Sequence, residues 1–285
     1  MTHVYIDTPS SRHQEVFAAL FRSGPFLIGT AIIFFWAVCA AFGQQFVPYD
    51  PLAQDILNAL GPPSAEHWFG TDQLGRDIFS RVIAGSRDIL TVAPLATILA
   101  TIIGTVLGLL TGYFRGIVDD VFSRLIEAKM AIPGVIVALL AIVALGTSEM
   151  TVILVIGLSF GTNMSRTVRS AVLSERELEY VAAATLRRES AVHIMFVEIL
   201  PNILPPILVE STMRVGYAIF AVATLSFIGF GLQPPSPDWG LSISTNYAMI
   251  GGGYWWTVLF DALAIASLVI GINLMADGLY GALDA

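Results

Sequence analysis

The stretch ILTVAPLATILATIIGTVLGLLTGY, residues Ile89–Tyr113, decides the fold. It carries no charged side chain, and a helix of about 20 apolar residues is long enough to cross the hydrocarbon core of a bilayer. Comparable runs occupy Pro25–Gly43, Met130–Ser148, the shorter Met150–Ser165, Leu204–Gly231 and Trp255–Ala276. The sequence therefore predicts an all-α, polytopic membrane protein with six transmembrane helices.

The composition agrees with that class. Of the 285 residues, 55% are hydrophobic and only 13% are charged, where a soluble domain has about 25% charged residues. The formal net charge of −8 excludes a nucleic-acid binder. Cys39 is the single cysteine and lies in an apolar run, which excludes a disulfide framework.

Basic residues predict the orientation, because cytoplasmic loops are enriched in Arg and Lys. With both termini in the cytoplasm, ten of the fourteen basic residues fall inside and three outside. The first apolar run is too long for a signal peptide and is expected to be a retained helix. The predicted regions are a cytoplasmic segment 1–24, a first span and external loop 25–88, a transmembrane domain 89–276 and a cytoplasmic tail 277–285.

The internal loop 167–203 is predicted to be structured. Ser174 and Glu177 fit the S-x-x-E capping box that starts a helix. The following SERELEYVAAATLRRES reads as that helix, and a second short helix fits Ala191–Val197. Pro201 and the later prolines return the chain to the membrane. The cytoplasmic face thus presents a helical hairpin.

Catalytic and cofactor motifs are missing from the sequence. It has no GxxxxGK[ST] phosphate loop, no HExxH or Cys/His cluster, and no GxSxG elbow. We expect no catalytic residue, no metal site and no cofactor bound by this chain.

Charged residues within the spans are the candidates for a solute path. Glu210 and Arg214 are four residues apart and share a helix face. They either line a translocation path or form an ion pair that holds the span, and both readings place them facing inward. Asp261 is expected to reach water at the external end. The GxxxG repeats at Gly104–Gly112 and Gly157–Gly161 favour close helix packing within the subunit.

Four segments in a fixed order carry a family resemblance. They are HWFGTDQLGRDIFSRVIAGSR (67–87), EYVAAATLRRESAVHIMFVEILPN (179–202), LSFIGFGLQPPSPDWG (225–240) and the closing NLMADGLYGALDA (273–285). Together they resemble the C-type inner-membrane permease subunits of dipeptide/oligopeptide ABC importers, a binding-protein-dependent family with the type I importer fold.

The resemblance implies a set of partners and a location. A paralogous second permease would complete the path, and one or two cytoplasmic ATPase subunits would bind ATP and Mg. An extracytoplasmic solute-binding protein would deliver the solute, and the assembly would sit in the lipid bilayer of a bacterial inner membrane.

The resemblance also implies site residues. The internal loop corresponds to the family's EAA coupling loop, which docks on the ATPase. The implied coupling residues are Glu179, Tyr180, Val181, Ala183, Ala184, Arg187, Arg188, Ser190, Ile194, Leu200 and Pro201. The predicted path residues are Glu210, Arg214, Asn163 and Ser226, and the predicted docking residues for the binding protein are Asp238 and Trp239.

Two positions depart from the family pattern. Ala182 replaces the acidic residue before the paired alanines, and Arg188 replaces the glycine that allows a left-handed turn between the loop helices. A residue with a Cβ is disfavoured in that conformation by about 1–2 kcal/mol. We therefore expect either that the break moves to Ser190 or that the helix continues.

Two alternatives remain open at the level of sequence. The same family also imports nickel chelates, opines, glutathione and other small solutes, and the binding protein largely chooses the cargo. An ion-coupled secondary transporter is the alternative from another class; it calls for carboxylates near the midplane and broken inverted repeats, which are not evident. An intramembrane enzyme lacks a catalytic pair.

Overall fold

A computed structural model describes residues 18–283 of the chain. Regular structure in this range is helical, apart from an isolated bridge between Thr71 and Asp77, and this confirms the all-α class. The helices are α1 Gly24–Phe46, α2 Ile78–Phe114, α3 Gly116–Met130, α4 Gly134–Leu145, α5 Glu149–Arg176, α6 Glu179–Leu186, α7 Ala191–Asn202, α8 Leu204–Phe227, α9 Trp239–Asn246 and α10 Trp256–Leu283. Short 3₁₀ turns occupy Ile56–Asn58 and Tyr247–Gly252.

Four helices, α1, α2, α8 and α10, are each long and apolar enough to cross a membrane. Helices α3 and α4 pass the same test only together, and they are bent by 91° at the break between them. The predicted third span Met130–Ser148 is therefore half of a broken pair. Pro133, which has no N–H to continue a helix ladder, stands at the start of α4.

Helix α5 corrects the predicted boundary of the internal loop. It runs unbroken from Glu149 to Arg176, past the predicted loop start at residue 167. The Ser148 hydroxyl caps it by accepting the Thr151 N–H at 3.1 Å. Ser174 lies inside the helix, where its hydroxyl donates to the Ser170 carbonyl at 3.3 Å. The predicted capping box is wrong, because apolar residues of this last section, such as Val172, are buried and hold it in the helix.

Helices α2 and α10 are also longer than predicted. Asp77 caps α2 by accepting the Ser80 N–H at 2.8 Å, so the GTDQLGRD segment leads straight into a helix long enough to span a membrane. Helix α10 continues to Leu283, so the described part of the predicted tail, from residue 277, is helical. Residues 1–17 and 284–285, parts of the predicted terminal segments, lie outside the described residues.

Glycines bring α2 and α5 into direct backbone contact. A Cβ added at Gly104, Gly108 or Gly112 would collide with the α5 side chains of Met164, Val168 and Val172, at 2.8, 2.5 and 2.7 Å respectively. Gly157 and Gly161 on α5 face Leu99 and Ile103 of α2 in the same way. The glycine stripes thus pack two helices of one subunit, as the sequence predicted.

Helix α1 lies against α10. A Cβ at Gly29 would meet the backbone of Gly271 and Met275. The Trp36 Nε1 donates to the Ser267 hydroxyl at 2.9 Å, and its ring contacts Trp239 edge-on at 4.9 Å between centroids. Helix α1 is therefore part of the main hydrophobic core.

Candidate functional site

Helices α6 and α7 form the predicted hairpin, but apart from the start of α7 they begin and end at other residues than those predicted from the sequence. The N-cap of α6 is Leu178, and the helix ends at Leu186. The Glu189 N–H bonds to the Ala184 carbonyl at 3.2 Å and the Arg188 N–H to the Thr185 carbonyl at 3.0 Å. These two bonds are the Schellman pattern that closes a helix.

Arg188 occupies the left-handed position of this turn, with φ of 60°. The helix therefore neither continues nor moves its break, and both sequence expectations are wrong. Ser190 then caps α7 by accepting the His193 N–H at 3.2 Å. The turn survives the loss of its usual glycine because the two closing hydrogen bonds and the next cap fix the backbone on both sides.

One side of the hairpin is buried against the chain's own helices. Val181, Ala184 and Ile194 are at most 3% exposed and pack with Leu109, Val168 and further residues of α2 and α5 in a second hydrophobic cluster. Their predicted coupling role is thus indirect in this structure, because their side chains tie the hairpin to the spanning helices.

Tyr180 links three parts of this region. Its hydroxyl donates to Glu175 Oε2 at 2.7 Å and accepts from Asn202 Nδ2 at 3.2 Å. Burial and the hydrogen bond to Glu175 raise the pKa of Tyr180 to about 12, so the hydroxyl keeps its proton. The end of α5, the start of α6 and the end of α7 are therefore held together by one side chain.

The opposite side of the hairpin is exposed. Among the predicted coupling residues it carries Glu179, Ala183, Arg187, Arg188, Ser190 and Pro201, while Leu200 is half-buried. Sequence reasoning missed its apolar members: Leu186 is 84% exposed, and Val192, Phe196 and Val197 are also exposed. An apolar residue directly before two arginines was the available signal for Leu186.

Charged side chains form ion pairs along α7 and the turn before it. Arg187 Nε donates to Glu189 Oε1 at 2.7 Å, and its NH2 donates to Glu198 Oε1 at 3.2 Å. His193 Nε2 lies 3.2 Å from Glu189 Oε2. Ligand atoms of Glu189, His193 and Glu198 lie within 4.8 Å of one another, and the Arg187 guanidinium already bonds both carboxylates.

Glu210 and Arg214 form an ion pair on α8. Arg214 donates to Glu210 Oε1 from Nε at 2.8 Å and from NH2 at 2.5 Å. The guanidinium also lies 5.7 Å from the centres of the Phe160 and Tyr217 rings. The pair thus joins α8 to α5, and both carboxylate and guanidinium stay partly exposed at 21% and 17%.

Arg214 stands at the edge of a cavity of about 390 Å³ between α4, α5 and α8, here called the Arg214 groove. Its walls are mainly apolar, and Ser159 and Thr224 add hydroxyls. A second cavity of about 750 Å³ lies along the C-terminal half of α5 and is lined by Ser123, Glu127, Arg166, Thr167, Arg169, Ser170 and Ser174, among others.

One face of α5 joins the two cavities. Ser159, Asn163, Thr167, Ser170 and Ser174 recur every three or four residues and share that face. The Oδ1 of Asn163 is buried without a hydrogen-bond partner among the described residues. The predicted path residues Glu210, Arg214 and Asn163 therefore lie near one polar stripe.

Ser226 does not belong with them. It is fully buried at the C-terminal end of α8, and its hydroxyl accepts the Leu232 N–H at 3.2 Å. The chain turns back so tightly here that a Cβ at Gly231 would overlap Ser226. Ser226 stabilises this turn, which corrects its predicted place in the path.

Asp238 and Trp239 are likewise buried, with 0% exposure for both. Asp238 Oδ1 caps α9 by accepting the Leu241 N–H at 2.8 Å, and the Trp239 Nε1 donates to the Val82 carbonyl at 2.9 Å. Burial raises the pKa of Asp238 to about 6. Direct docking of another protein on these two side chains is incompatible with this structure, because they are buried and anchor the loop between α8 and α9 to α2.

A buried ionic cluster underlies the loops that precede α2 and α9. Arg76 Nε donates to Asp72 Oδ2 at 2.6 Å, and Arg81 reaches the carbonyls of Pro51 at 3.1 Å and Ser236 at 3.2 Å. Asp261 of α10 is only 2% exposed, which corrects the expectation that it reaches water. Two loops and two spanning helices therefore meet at buried charged groups, of which the sequence analysis had considered only Asp261.

Comparison with known proteins identifies the family. Residues 104–285 match the model described as "Binding-protein-dependent transport system inner membrane component". Residues 11–63 match "N-terminal TM domain of oligopeptide transport permease C". The chain thus belongs to the inner-membrane components of binding-protein-dependent transport systems, which are multi-pass transport proteins and not enzymes.

Individual relatives narrow the position within that family. The chain is 38% identical to the dipeptide transport system permease protein DppC of Alkalihalophilus pseudofirmus over 97% of its length and 91% of the relative. It is 34% identical to DppC of Bacillus subtilis, covering 95% and 85%. It is 35% identical to the oligopeptide transport system permease protein OppC of Bacillus subtilis, covering 93% and 87%. The predicted resemblance to C-type permeases is confirmed.

Proposed function

We propose that this chain is one of two paired permeases in an ATP-driven importer of peptides or peptide-like solutes. Relatives that cover nearly the whole chain are named for dipeptide and oligopeptide transport, which supports this cargo. ATP and Mg would be bound by separate ATPase subunits, and an extracytoplasmic binding protein would deliver the solute.

The observation that carries the proposal is the hairpin of α6 and α7. It combines an inner side packed on α2 and α5 with an exposed side that presents Leu186, directly before Arg187 and Arg188. An apolar side chain presented on a braced helical hairpin fits a groove on another protein. Force applied there would pass directly into spanning helices, which is what coupling to ATP hydrolysis requires.

The proposed topology has six spans and both termini in the cytoplasm. The spans are α1, α2, the bent pair α3–α4, α5, α8 and α10. Helix α5 has 28 residues and is about 42 Å long. Its cytoplasmic half carries the polar residues that line the second cavity. The hairpin then lies inside and the ionic cluster outside, in agreement with the distribution of Arg and Lys.

The test is uptake of a labelled dipeptide into proteoliposomes that hold this chain with its partner permease, ATPases and binding protein. We expect uptake to require ATP and to stop when the ATPases carry an inactivating substitution. Uptake that persists without ATPase subunits and collapses with an ionophore would instead establish an ion-coupled transporter.

A variant of the hairpin sharpens the test of coupling. Leu186→Asp places a charge in the proposed contact and should abolish binding-protein-stimulated ATP hydrolysis. Leu57→Asp is the matched control, because Leu57 is 97% exposed on an external loop. Equal ATP hydrolysis in the two variants would remove Leu186 from the proposed interface.

A further inference from the structure

Lys129, the only lysine of the chain, is held entirely by neutral groups. Its Nζ donates to the Ser159 carbonyl at 2.8 Å, the Ser159 hydroxyl at 3.0 Å and the Thr162 hydroxyl at 3.0 Å. Its ammonium forms no ion pair with a carboxylate of the described residues. This cation sits on α3, in the bent pair, and is bound to the polar stripe of α5.

A second cation borders the same place. Ser159, which binds Lys129, lines the Arg214 groove together with Arg214 itself. Glu210 neutralises only one of the two positive charges. Glu127 and Arg166 both line the second cavity. Their charges are opposite and cancel, so they do not change the sign of the electrostatic field at Lys129. Through its bonds to Ser159, Lys129 therefore places beside the groove a positive charge that no carboxylate of the described residues pairs.

An uncompensated charge at membrane depth is costly and marks a solute path. It attracts an anion strongly, because attraction between charges increases as the surroundings become less polar. The walls add a second requirement: Ala138, Phe160 and Phe220 are apolar, and the cavity of about 390 Å³ suits a side chain of moderate size.

We propose that Lys129 and Arg214 form a carboxylate subsite of the translocation path. It takes the C-terminal carboxylate of a peptide in transit, while the apolar walls contact the side chain of the same terminal residue. This inference rests on the proposed function, since it names the part of the peptide that the path recognises.

Photo-crosslinking in the assembled transporter without its binding protein tests the subsite. The probe is a dipeptide whose C-terminal residue is a benzophenone analogue of phenylalanine, and mass spectrometry maps its attachment. We expect attachment to groove residues on α5 and α8. An excess of an ordinary dipeptide should compete about tenfold better than its C-terminal amide, because the amide has no negative charge for the two cations to attract.

Three variants isolate the charge. Lys129→Gln can still bond Ser159 and Thr162, yet should abolish the preference for the free acid over the amide. Lys129→Arg keeps the charge and should retain the preference. Arg124→Gln removes an exposed charge from the same helix and should behave as the unmodified chain.

Attachment outside the groove, or equal competition by acid and amide in the unmodified chain, would overturn the subsite. A preference that persists in Lys129→Gln would overturn it as well. These results are separable from the proposed function: a transporter that imports dipeptides with ATP while failing this test loses only the subsite, whereas absence of ATP-dependent uptake refutes the importer itself.

Discussion

Arg188 shows how a single residue can keep a turn that its chemistry disfavours. Its Cβ opposes the left-handed conformation, while the Schellman hydrogen bonds on one side and the Ser190 cap on the other impose it. The strained residue therefore stands at the tip of the hairpin, next to the exposed Leu186.

Arg188→Gly should stabilise the turn by about 1 kcal/mol, because glycine has no Cβ to oppose a positive φ. Amide hydrogen exchange across residues 183–190 measures the effect as slower exchange. Arg188→Ala is the matched variant, since it removes the charge but keeps the Cβ and should show no such gain. Equal protection in both variants would contradict a conformational origin.

Asp238 should make stability depend on pH. Its pKa is about 6 in the folded protein against 3.8 for an ordinary aspartate, so folding favours the protonated form. The protonated form stabilises the fold fully below about pH 4, and this stability, up to about 3 kcal/mol, is lost as the pH rises through about 6.

Asp238→Asn should flatten that profile, because the amide oxygen can still cap α9 and carries no charge at any pH. Thermal unfolding in detergent between about pH 4 and about pH 7 measures it. Asp55→Asn, at an exposed N-cap on the same side, is the control and should leave the profile unchanged. A profile in Asp238→Asn as steep as in the unmodified chain would rule out Asp238 as its source.

These residues also mark what sequence can predict about the site. The position of the hairpin and the Glu210–Arg214 pairing follow from spacing along a helix, and both are present in the structure. The burial of Asp238 and Asp261 depends on α2 and on loops 30 or more residues away in sequence. From sequence alone, a polar residue near the end of a span is predicted to be exposed. Its burial can be predicted only when the distant segments that pack on it are known.

At the scale of elements, the contact between α2 and α5 is the most extensive among the described residues, and its glycines leave no room for added volume. At Gly108 the added Cβ would lie 2.5 Å from the Val168 Cβ and 2.9 Å from the Arg169 backbone nitrogen. Because the α5 backbone lies directly behind the Val168 side chain, an added Cβ could be accommodated only if one of the two helices moved as a whole.

Gly108→Ala should therefore destabilise the protein by about 1–3 kcal/mol, the usual effect of overpacking. The midpoint of thermal unfolding in detergent measures this loss. Gly281→Ala, where an added Cβ meets nothing within 4 Å on α10, is the control. If both variants unfold together with the unmodified chain, the close approach of α2 and α5 is refuted.

The boundaries of elements were less predictable than their existence. Apolar runs located α1, α2, α8 and α10, because composition alone distinguishes a spanning helix. The 91° bend between α3 and α4 and the unbroken α5 were missed. Tertiary packing decides both, since Val168 and Val172 are buried against α2 and keep the polar end of α5 helical.

At the scale of the whole molecule, the two hydrophobic clusters divide the chain by depth. One contains Trp36, Trp239 and Trp256, and the other contains the buried side of the hairpin. In the proposed topology the first includes the outer half of the spans and the second belongs to the cytoplasmic end.

This orientation can be tested with two cysteines in a Cys39→Ser background. Leu57→Cys should react with a membrane-impermeant maleimide in right-side-out vesicles, because its side chain is 97% exposed on an external loop. Leu186→Cys, at a residue 84% exposed, should react only in inside-out vesicles. The reverse pattern would invert the topology.

Helix α2 extends well beyond a bilayer. Its 37 residues are about 55 Å long, whereas the hydrocarbon core is about 30 Å thick. One end begins at Asp77 beside the ionic cluster, and the other end packs on the hairpin through Leu109. Pro94 stands between them and deprives the Leu90 carbonyl of its helical partner. The helix can therefore act as a lever that pivots at Pro94, away from its centre. A tilt of about 10° about Pro94 moves the end at the hairpin sideways by about 5 Å. The end at the ionic cluster moves about 4 Å in the opposite direction.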